Sequence, residues 1–152
     1  MADSNVTDAE IRFLEELARR KVRFMVVGMS AAVIQGADLG TDDIDLWFGS
    51  LSAPGLDEAA RAAGGMIAWR ASPPMLTGKG LDHIDIVTRC DGLRGFDAEY
   101  ASALDAEAFG VELKVLPLRR VIASKKAANR LKDMAVLPAL KAALAAIKRA
   151  KK

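Results

Sequence analysis

The fold is decided by VVGMSAAVIQGADLGTDDIDLWF, residues 26–48. This stretch begins as a hydrophobic strand and stops at Gly28, where a turn leads into a short apolar helix with Ser30 as its predicted N-cap. After the turn-prone ADLGT, Asp43 and Asp45 alternate with hydrophobic residues at the period of two that is typical of a strand. The two carboxylates are therefore predicted to share one face of that strand.

Similar patterns continue on both sides of this stretch. Thr7 and Glu10 form a predicted capping box at the start of an apolar-periodic helix, and a second alternating strand carries Asp85. The remaining pattern predicts a helix over 56–63, a strand over 66–69, a loop over 71–80, a strand over 111–116 and helices from Pro117 onward, with Pro138 starting or kinking the second of them.

These elements predict an α/β (α+β) fold, in which a mixed β-sheet is flanked by α-helices. We expect one domain over 1–152, with a core over 22–116 and basic C-terminal helices over 117–152, because 152 residues suffice for one hydrophobic core. The chain is 51% hydrophobic and 28% charged, which is the balance of a globular protein and not of a disordered one.

Several classes of protein are excluded or disfavoured by composition. No apolar run approaches the roughly 20 residues that cross a bilayer, and the acidic start MADSNVTDAE does not resemble a secretory signal. We therefore expect a cytoplasmic protein with no membrane partner. Cys90 is the single cysteine, which excludes an internal disulfide and cysteine-based metal motifs.

Charge is distributed unevenly along the chain. Residues 1–118 contain 19 acidic and 11 basic residues, whereas residues 119–152 contain one acidic and 11 basic residues. Clustered lysine and arginine attract phosphate-bearing ligands, so the C-terminal part is predicted to face an anionic partner, for which RNA is a candidate. The alternative is a solvated helix face with a lysine tail.

The three aspartates Asp43, Asp45 and Asp85 indicate a metal site. Carboxylates converging from two neighbouring strands provide the oxygen ligands that Mg²⁺ prefers, and Mn²⁺ is compatible with them. Buried like charges repel one another, so such a cluster is stable mainly when a cation neutralises it. Magnesium held by few carboxylates usually takes its other ligands from water and phosphates, which indicates phosphoryl or nucleotidyl transfer.

The order of these features resembles the nucleotidyltransferase superfamily typified by DNA polymerase beta, with its hydrophobic strand, Gly-Gly or Gly-Ser turn and later D-h-D strand. Within that superfamily the sequence is similar to short bacterial nucleotidyltransferases related to the AbiEii-type toxins of abortive-infection systems. The first match runs through Gly28, Ala31, Gly36, Thr41, Asp43 and Asp45. The second, in VIASKKAANRLKDMAVLPAL, follows the late-helix pattern K-x-A-x-x-R-x-K-D at Lys125, Ala127, Arg130, Lys132 and Asp133.

The resemblance implies a Mg²⁺-dependent enzyme that transfers a nucleoside monophosphate from a nucleoside triphosphate to a hydroxyl on RNA, a protein or a small molecule. It implies that Asp43 and Asp45 bind the metal ions, and that Asp85 binds one of them and acts as base or orients the acceptor. The nucleotide-binding residues that it implies are Gly28, Ser30, Thr41, Lys125 and Arg130. A toxin–antitoxin role would add a cognate antitoxin or other partner protein.

Two interpretations stay open at this point. The family has glycine or serine where this chain has Met29, so the alternative to an enzyme is a non-catalytic nucleotide- or nucleic-acid-binding module with a degenerate fold. The presence of all three carboxylates favours the enzyme, because a phosphate-binding module would gain from losing those charges. For Trp47, stacking on a base and core packing are both open, whereas Trp69 is predicted to lie in the core.

Overall fold

A mixed sheet lies at the centre of the computed structural model, which describes residues 5–151. The other residues of the predicted domain over 1–152 lie outside the described part. The strands are β1 (Phe24–Val27), β2 (Ile44–Phe48), β3 (Met66–Ala68), β4 (Met75–Thr77), β5 (Ile84–Val87), β6 (Leu104–Ala108) and β7 (Val111–Val115).

The main sheet has five strands in the order β5-β2-β1-β7-β6. The pairs β2–β5 and β1–β7 are parallel, and the pairs β1–β2 and β6–β7 are antiparallel. The strands β3 and β4 form a separate antiparallel hairpin whose second strand packs against β5. The predicted mixed sheet is therefore confirmed, and β5 lies at its edge.

Helices surround the sheet. They are α1 (Asp8–Arg19), α2 (Gly28–Ile34), α3 (Leu56–Ala62), α4 (Phe96–Ala101), α5 (Leu118–Ala128) and α6 (Leu131–Ala150). The predicted capping box of Thr7 and Glu10 is present at the start of α1. Helix α1 packs on β7 and α3, and α2 packs on β1, β2 and α5. All four residues of the central strand β1 are consequently buried. Within residues 5–151, no helix combines the length and the apolar character needed to cross a membrane.

Some predictions of local structure are wrong. Helix α2 begins at Gly28, so Ser30 lies inside its first turn and is not its N-cap. The predicted loop over 71–80 contains β4. The break between the C-terminal helices falls at Asn129, which has a left-handed φ of 51°, so Pro138 does not start the second helix but lies inside α6. A kink of α6 at Pro138 stays a prediction. Pro138 is tolerated because it lies on the exposed face of α6, where water can replace the lost backbone hydrogen bond.

The sequence patterns also missed two elements and misplaced one side chain. Helix α4 and strand β6 are only six and five residues long. The β6 sequence LDAEA alternates with a period of two, but alanine fills two of its three apolar positions, so its hydrophobic signal is weak. Trp69 is 42% exposed instead of buried. Its indole N–H donates to the Asp57 carboxylate at 3.1 Å, which holds the ring against the surface.

Candidate active site

Two of the three predicted carboxylates meet on adjacent strands. Asp45 and Asp85 are register partners in the parallel pair β2–β5, so their side chains lie on the same face of the sheet. Asp43 immediately precedes β2 and has the same parity as Asp45. The N–H of Ile44 donates to the carbonyl of His83 at 2.7 Å, which fixes the starts of both strands against each other.

The electrostatics of the three aspartates show that they interact. Burial raises the pKa of Asp45 to about 6, and repulsion from Asp85 and Asp43 contributes, against the opposing effect of Lys125 and Lys132. The pKa of Asp85 is also raised, by burial and then by Asp43. The site therefore contains negative charge that the neighbouring lysines compensate only in part.

This donor set fits a hard divalent cation in its chemistry. Three carboxylates at one end of two strands offer oxygen ligands, and a cation would offset the burial and the repulsion that raise the pKa of Asp45. Within residues 5–151, no three acidic, histidine or cysteine side chains already stand in a metal-binding arrangement. Asp43, Asp45 and Asp85 as metal ligands therefore stay a prediction.

Gly28 lies directly against the Asp45 carboxylate. Its φ is +63°, a left-handed conformation that favours glycine, and a Cβ at this position would collide with Oδ2 of Asp45. The chain can thus leave β1 and enter α2 close to the carboxylate only because residue 28 has no side chain.

A cleft beside this turn carries three basic side chains, and we call it the cationic cleft. It has a volume of about 150 Å³, and Gly28 and Asp45 form one wall. The basic side chains around it are Arg89, Lys125 and Arg130. Helix α5 and the start of α6 thus bring Lys125 and Arg130, two of the predicted nucleotide-binding residues, to the cleft that Asp45 lines.

Asp133 holds two of these cations in place. Its side chain is 1% exposed and accepts from the backbone N–H of Arg130 at 3.1 Å and from its guanidinium at 2.7 and 3.2 Å. The ammonium of Lys125 lies 3.4 Å from the same carboxylate. Hydrogen bonding from Arg130 lowers the pKa of Asp133 to about 2. The sequence leaves surface salt bridging with Asp133 as the alternative role of Lys125 and Arg130, and an arginine three residues before an aspartate at a helix start favours such a pair. The structure has these ion pairs, but the Asp133 carboxylate is buried and does not lie on the surface.

Comparison with solved structures identifies a similar fold. The chain matches the crystal structure of ANT(2'')-Ia, an aminoglycoside nucleotidyltransferase, in complex with adenylyl-2''-tobramycin, with a TM-score of 0.58 and 15% identity over 90% of this chain and 88% of that one. The chain has a nucleotidyltransferase-like fold. No protein-family model and no curated protein sequence matches it. The predicted fold is thus confirmed, whereas the finer similarity to AbiEii-type toxins stays a prediction.

Ser30 has a structural place within this nucleotidyltransferase-like fold. Its side chain is 2% exposed, its hydroxyl donates to the carbonyl of Val27 at 2.9 Å, and it accepts from the backbone N–H of Asp45 at 3.1 Å. Because a hydroxyl has one hydrogen, Ser30 has none left to donate to a phosphate in this arrangement. The hydroxyl instead fixes Asp45 relative to the glycine turn.

Thr41 and Trp47 both make structural contacts close to the aspartates. The Thr41 hydroxyl bonds to the backbone of Asp43, donating to its carbonyl at 3.2 Å and accepting from its N–H at 3.4 Å. It therefore braces the approach to β2. Trp47 is buried and packs edge-on against Phe96, with ring centroids 5.5 Å apart, so the core-packing interpretation of this residue is the correct one.

Glu10 and His83 tie α1 to the start of β5, a contact that the sequence patterns did not reveal. The fully buried Glu10 carboxylate accepts from the backbone N–H of His83 at 2.7 Å and lies 3.0 Å from its Nδ1. Glu10 thereby raises the pKa of His83. The tie anchors the strand that carries Asp85.

The contact at Gly28 gives a direct test of this geometry. We expect Gly28→Ala to lower the free energy of unfolding by about 1–3 kcal/mol, through backbone strain and displacement of Asp45. Gly110→Ala is the matched control, since Gly110 has a similar positive φ, +76°, but no atom lies within 4 Å of the point that an added Cβ would occupy. Urea unfolding of both variants measures the difference. Equal losses would show that the collision with Asp45 has no cost.

Proposed function

We propose that the protein is a Mg²⁺-dependent nucleotidyltransferase, with Mn²⁺ as a possible substitute, that transfers a nucleoside monophosphate from a nucleoside triphosphate to a hydroxyl acceptor. One observation carries the proposal. Asp45 is the register partner of Asp85 and lines a cleft that also contains Lys125 and Arg130, within a nucleotidyltransferase-like fold.

The residues of the site have distinct roles in this proposal. Asp43, Asp45 and Asp85 would hold the cation, which when bound would supply positive charge to the triphosphate and its leaving group. Lys125 and Arg130 bind the phosphates and stabilise the negative charge that develops during transfer.

The reaction balances at these groups. The acceptor oxygen bonds to the α-phosphorus, the bond from that phosphorus to the bridging oxygen breaks, and pyrophosphate leaves. Asp85 takes the hydroxyl proton or orients the hydroxyl. Ser30 positions Asp45, and Thr41 positions Asp43, through hydrogen bonds to their backbones. Gly28, which has no side chain, leaves room for the nucleotide beside Asp45.

A purely binding role is less consistent with the electrostatics. Asp45 lies in a repulsive, partly buried cluster that raises its pKa, which would destabilise a protein that never binds a cation there. A phosphate-binding module would be better served by a neutral residue at this position. The non-catalytic alternative therefore explains Lys125 and Arg130 but leaves the three aspartates unexplained.

Three kinds of acceptor are compatible with the proposed transfer: RNA, a protein and a small molecule. The basic C-terminal helices are compatible with RNA, and a cytoplasmic toxin–antitoxin component with a partner protein would follow from the AbiEii-like motifs. The solved structure with a similar fold holds an adenylylated aminoglycoside, which is a small-molecule product.

The test is a transfer assay with each of the four labelled nucleoside triphosphates, Mg²⁺, and total RNA or tobramycin as acceptor. We expect the wild type to incorporate label and Asp43→Ala to incorporate about 100-fold less, since a group acting on the developing charge is lost. Asp42→Ala is the matched control, because Asp42 is the adjacent exposed carboxylate of opposite parity. Equal incorporation by wild type and Asp43→Ala, or none with any triphosphate, would contradict the proposal.

A further inference from the structure

A second depression lies between β4 and the edge strand β5, and Asp85 is part of its lining. We call it the edge groove. It has a volume of about 300 Å³, and its lining includes Pro73, Pro74, Met75, Asp82 and Asp85. Since β5 is the last strand of the main sheet, β4 forms the facing wall without pairing to it.

The edge groove and the cationic cleft have no lining residue in common. Asp45 lines the cationic cleft, and its register partner Asp85 lines the edge groove. The carboxylate pair therefore stands where the two depressions approach each other. Displacement at phosphorus brings an attacking and a leaving oxygen to one centre, so two ligand sites that each include one of the paired carboxylates suit a transfer between two substrates.

The two depressions have opposite charge. Both charged residues lining the edge groove are acidic, and in the described part of the chain no lysine or arginine lines it. The nearby Lys79 is exposed and is not part of the lining. The apolar part of the wall includes Met75, which is 57% exposed.

This character selects against phosphate-bearing acceptors. Sites for single-stranded nucleic acid combine a positively charged groove with aromatic stacking platforms, and the edge groove has neither among its described lining residues. Carboxylates accept hydrogen bonds from ammonium and hydroxyl groups, and exposed methionine and proline offer apolar contact to a ring face. A volume of about 300 Å³ is at the lower end of the range for small-molecule sites.

We propose that the edge groove binds the acceptor, and that the acceptor is a small hydroxyl-bearing organic cation and not a nucleic acid. Asp82 pairs with its ammonium group, and Asp85 meets the hydroxyl that receives the nucleotide. This inference rests on the proposed function, because it assigns the second substrate of the same transfer.

The proposal is tested by calorimetric binding without nucleotide at low ionic strength, with tobramycin as the cationic probe, raffinose as a neutral hydroxylated probe and total tRNA as the nucleic acid. The variants are Asp82→Lys and Glu112→Lys, which change the net charge equally at exposed positions. Glu112 lies on β7, three strands from β5 in the sheet. Urea unfolding checks that both variants fold like the wild type.

We expect tobramycin to bind the wild type and Glu112→Lys alike, and to bind Asp82→Lys about tenfold more weakly, because the substitution removes an attraction and adds a repulsion. Raffinose and tRNA should show no loss at Asp82→Lys. Absence of tobramycin binding to the wild type, equal binding by both variants, or transfer of label to RNA alone would overturn the inference.

Failure of this inference is distinguishable from failure of the proposed function. The binding experiment needs no nucleotide, and the transfer assay compares Asp43→Ala with the wild type on either RNA or tobramycin, so it reports transfer wherever the acceptor binds. Incorporation of label that depends on Asp43, without tobramycin binding, would retain the transferase and remove only the assigned acceptor.

Discussion

Asp45→Asn is expected to stabilise the metal-free protein and to lower the rate of nucleotidyl transfer by about 1,000-fold. The rate falls because the substitution removes a group that acts on the charge that develops during transfer. The pKa of Asp45 is raised from 3.8 to about 6 in the folded state by burial and by its acidic neighbours. Asparagine has nearly the same shape but no charge, so the repulsion disappears. At neutral pH we expect a gain of about 1–3 kcal/mol in the free energy of unfolding.

The sign of this effect fixes its pH dependence. Because the folded-state pKa of Asp45 is higher than its unfolded value of 3.8, the folded state keeps the proton that the unfolded state releases. Stability of the wild type is therefore lost as pH rises from about 4 to about 6. The advantage of Asp45→Asn should be full above that window and should vanish below it.

Thermal unfolding in the presence of a chelator, at pH 7.5 and near pH 3.5, measures this difference. Asp42→Asn serves as the control, because Asp42 is exposed and the same change there should have little effect. Added Mg²⁺ should stabilise the wild type by preferential binding to the folded state and leave Asp45→Asn nearly unchanged. A metal-free Asp45→Asn protein less stable than the wild type at pH 7.5 would refute the electrostatic account.

The placement of the acidic pair could be predicted from sequence because parity is local. The alternation in β2 and in β5 assigns Asp45 and Asp85 to a face of each strand before any pairing is known. The register that sets one directly beside the other comes from pairing between strands about 40 residues apart, which no local pattern encodes. The prediction that Asp45 and Asp85 share a site therefore rested on the metal-binding chemistry of carboxylates. The pairing of β2 with β5 is consistent with it, because it places the two residues side by side.

The hydrogen bonds of Ser30 and the presence of the edge groove could not be predicted from the sequence. A serine after a glycine turn suits a helix N-cap, but the helix begins two residues earlier and turns the hydroxyl back toward Val27. The edge groove depends on β4, a three-residue strand within a stretch whose prolines and glycines predict a loop. Both outcomes are decided by tertiary packing, which overrides weak local preference in short elements.

Asp133→Asn is expected to weaken triphosphate binding more than it slows the chemical step. In the wild type, the buried Asp133 carboxylate fixes the guanidinium of Arg130 and stands 3.4 Å from the ammonium of Lys125. Asparagine retains the volume but loses the charge, and one of its two polar ends becomes a donor that faces these cations. We expect KM for the triphosphate to rise about tenfold, equivalent to about 1.4 kcal/mol, with a smaller change in kcat.

The same substitution should lower the free energy of unfolding by about 1.5–3 kcal/mol, the range for hydrogen bonds to charged groups. Since the pKa of Asp133 is lowered to about 2, its stabilising effect is present above the unfolded-state value of 3.8 and is lost as pH falls toward 2. The stability difference between wild type and Asp133→Asn should therefore be constant from pH 5 to 8 and should shrink as the pH falls below about 4. Urea unfolding at several pH values from about 2 to about 8 measures this dependence.

Asp91→Asn separates the clamp from a general effect of charge at the cationic cleft. Asp91 lines the same cleft, but its ion pair with Arg89 is exposed and 3.5 Å long, so its removal should change stability little. A raised KM in Asp133→Asn but not in Asp91→Asn would identify Asp133 as the residue that positions Lys125 and Arg130 for the phosphates. Reduced stability with an unchanged KM would instead limit Asp133 to joining α5 and α6, and the phosphate contacts would then have to come from cations that it does not hold.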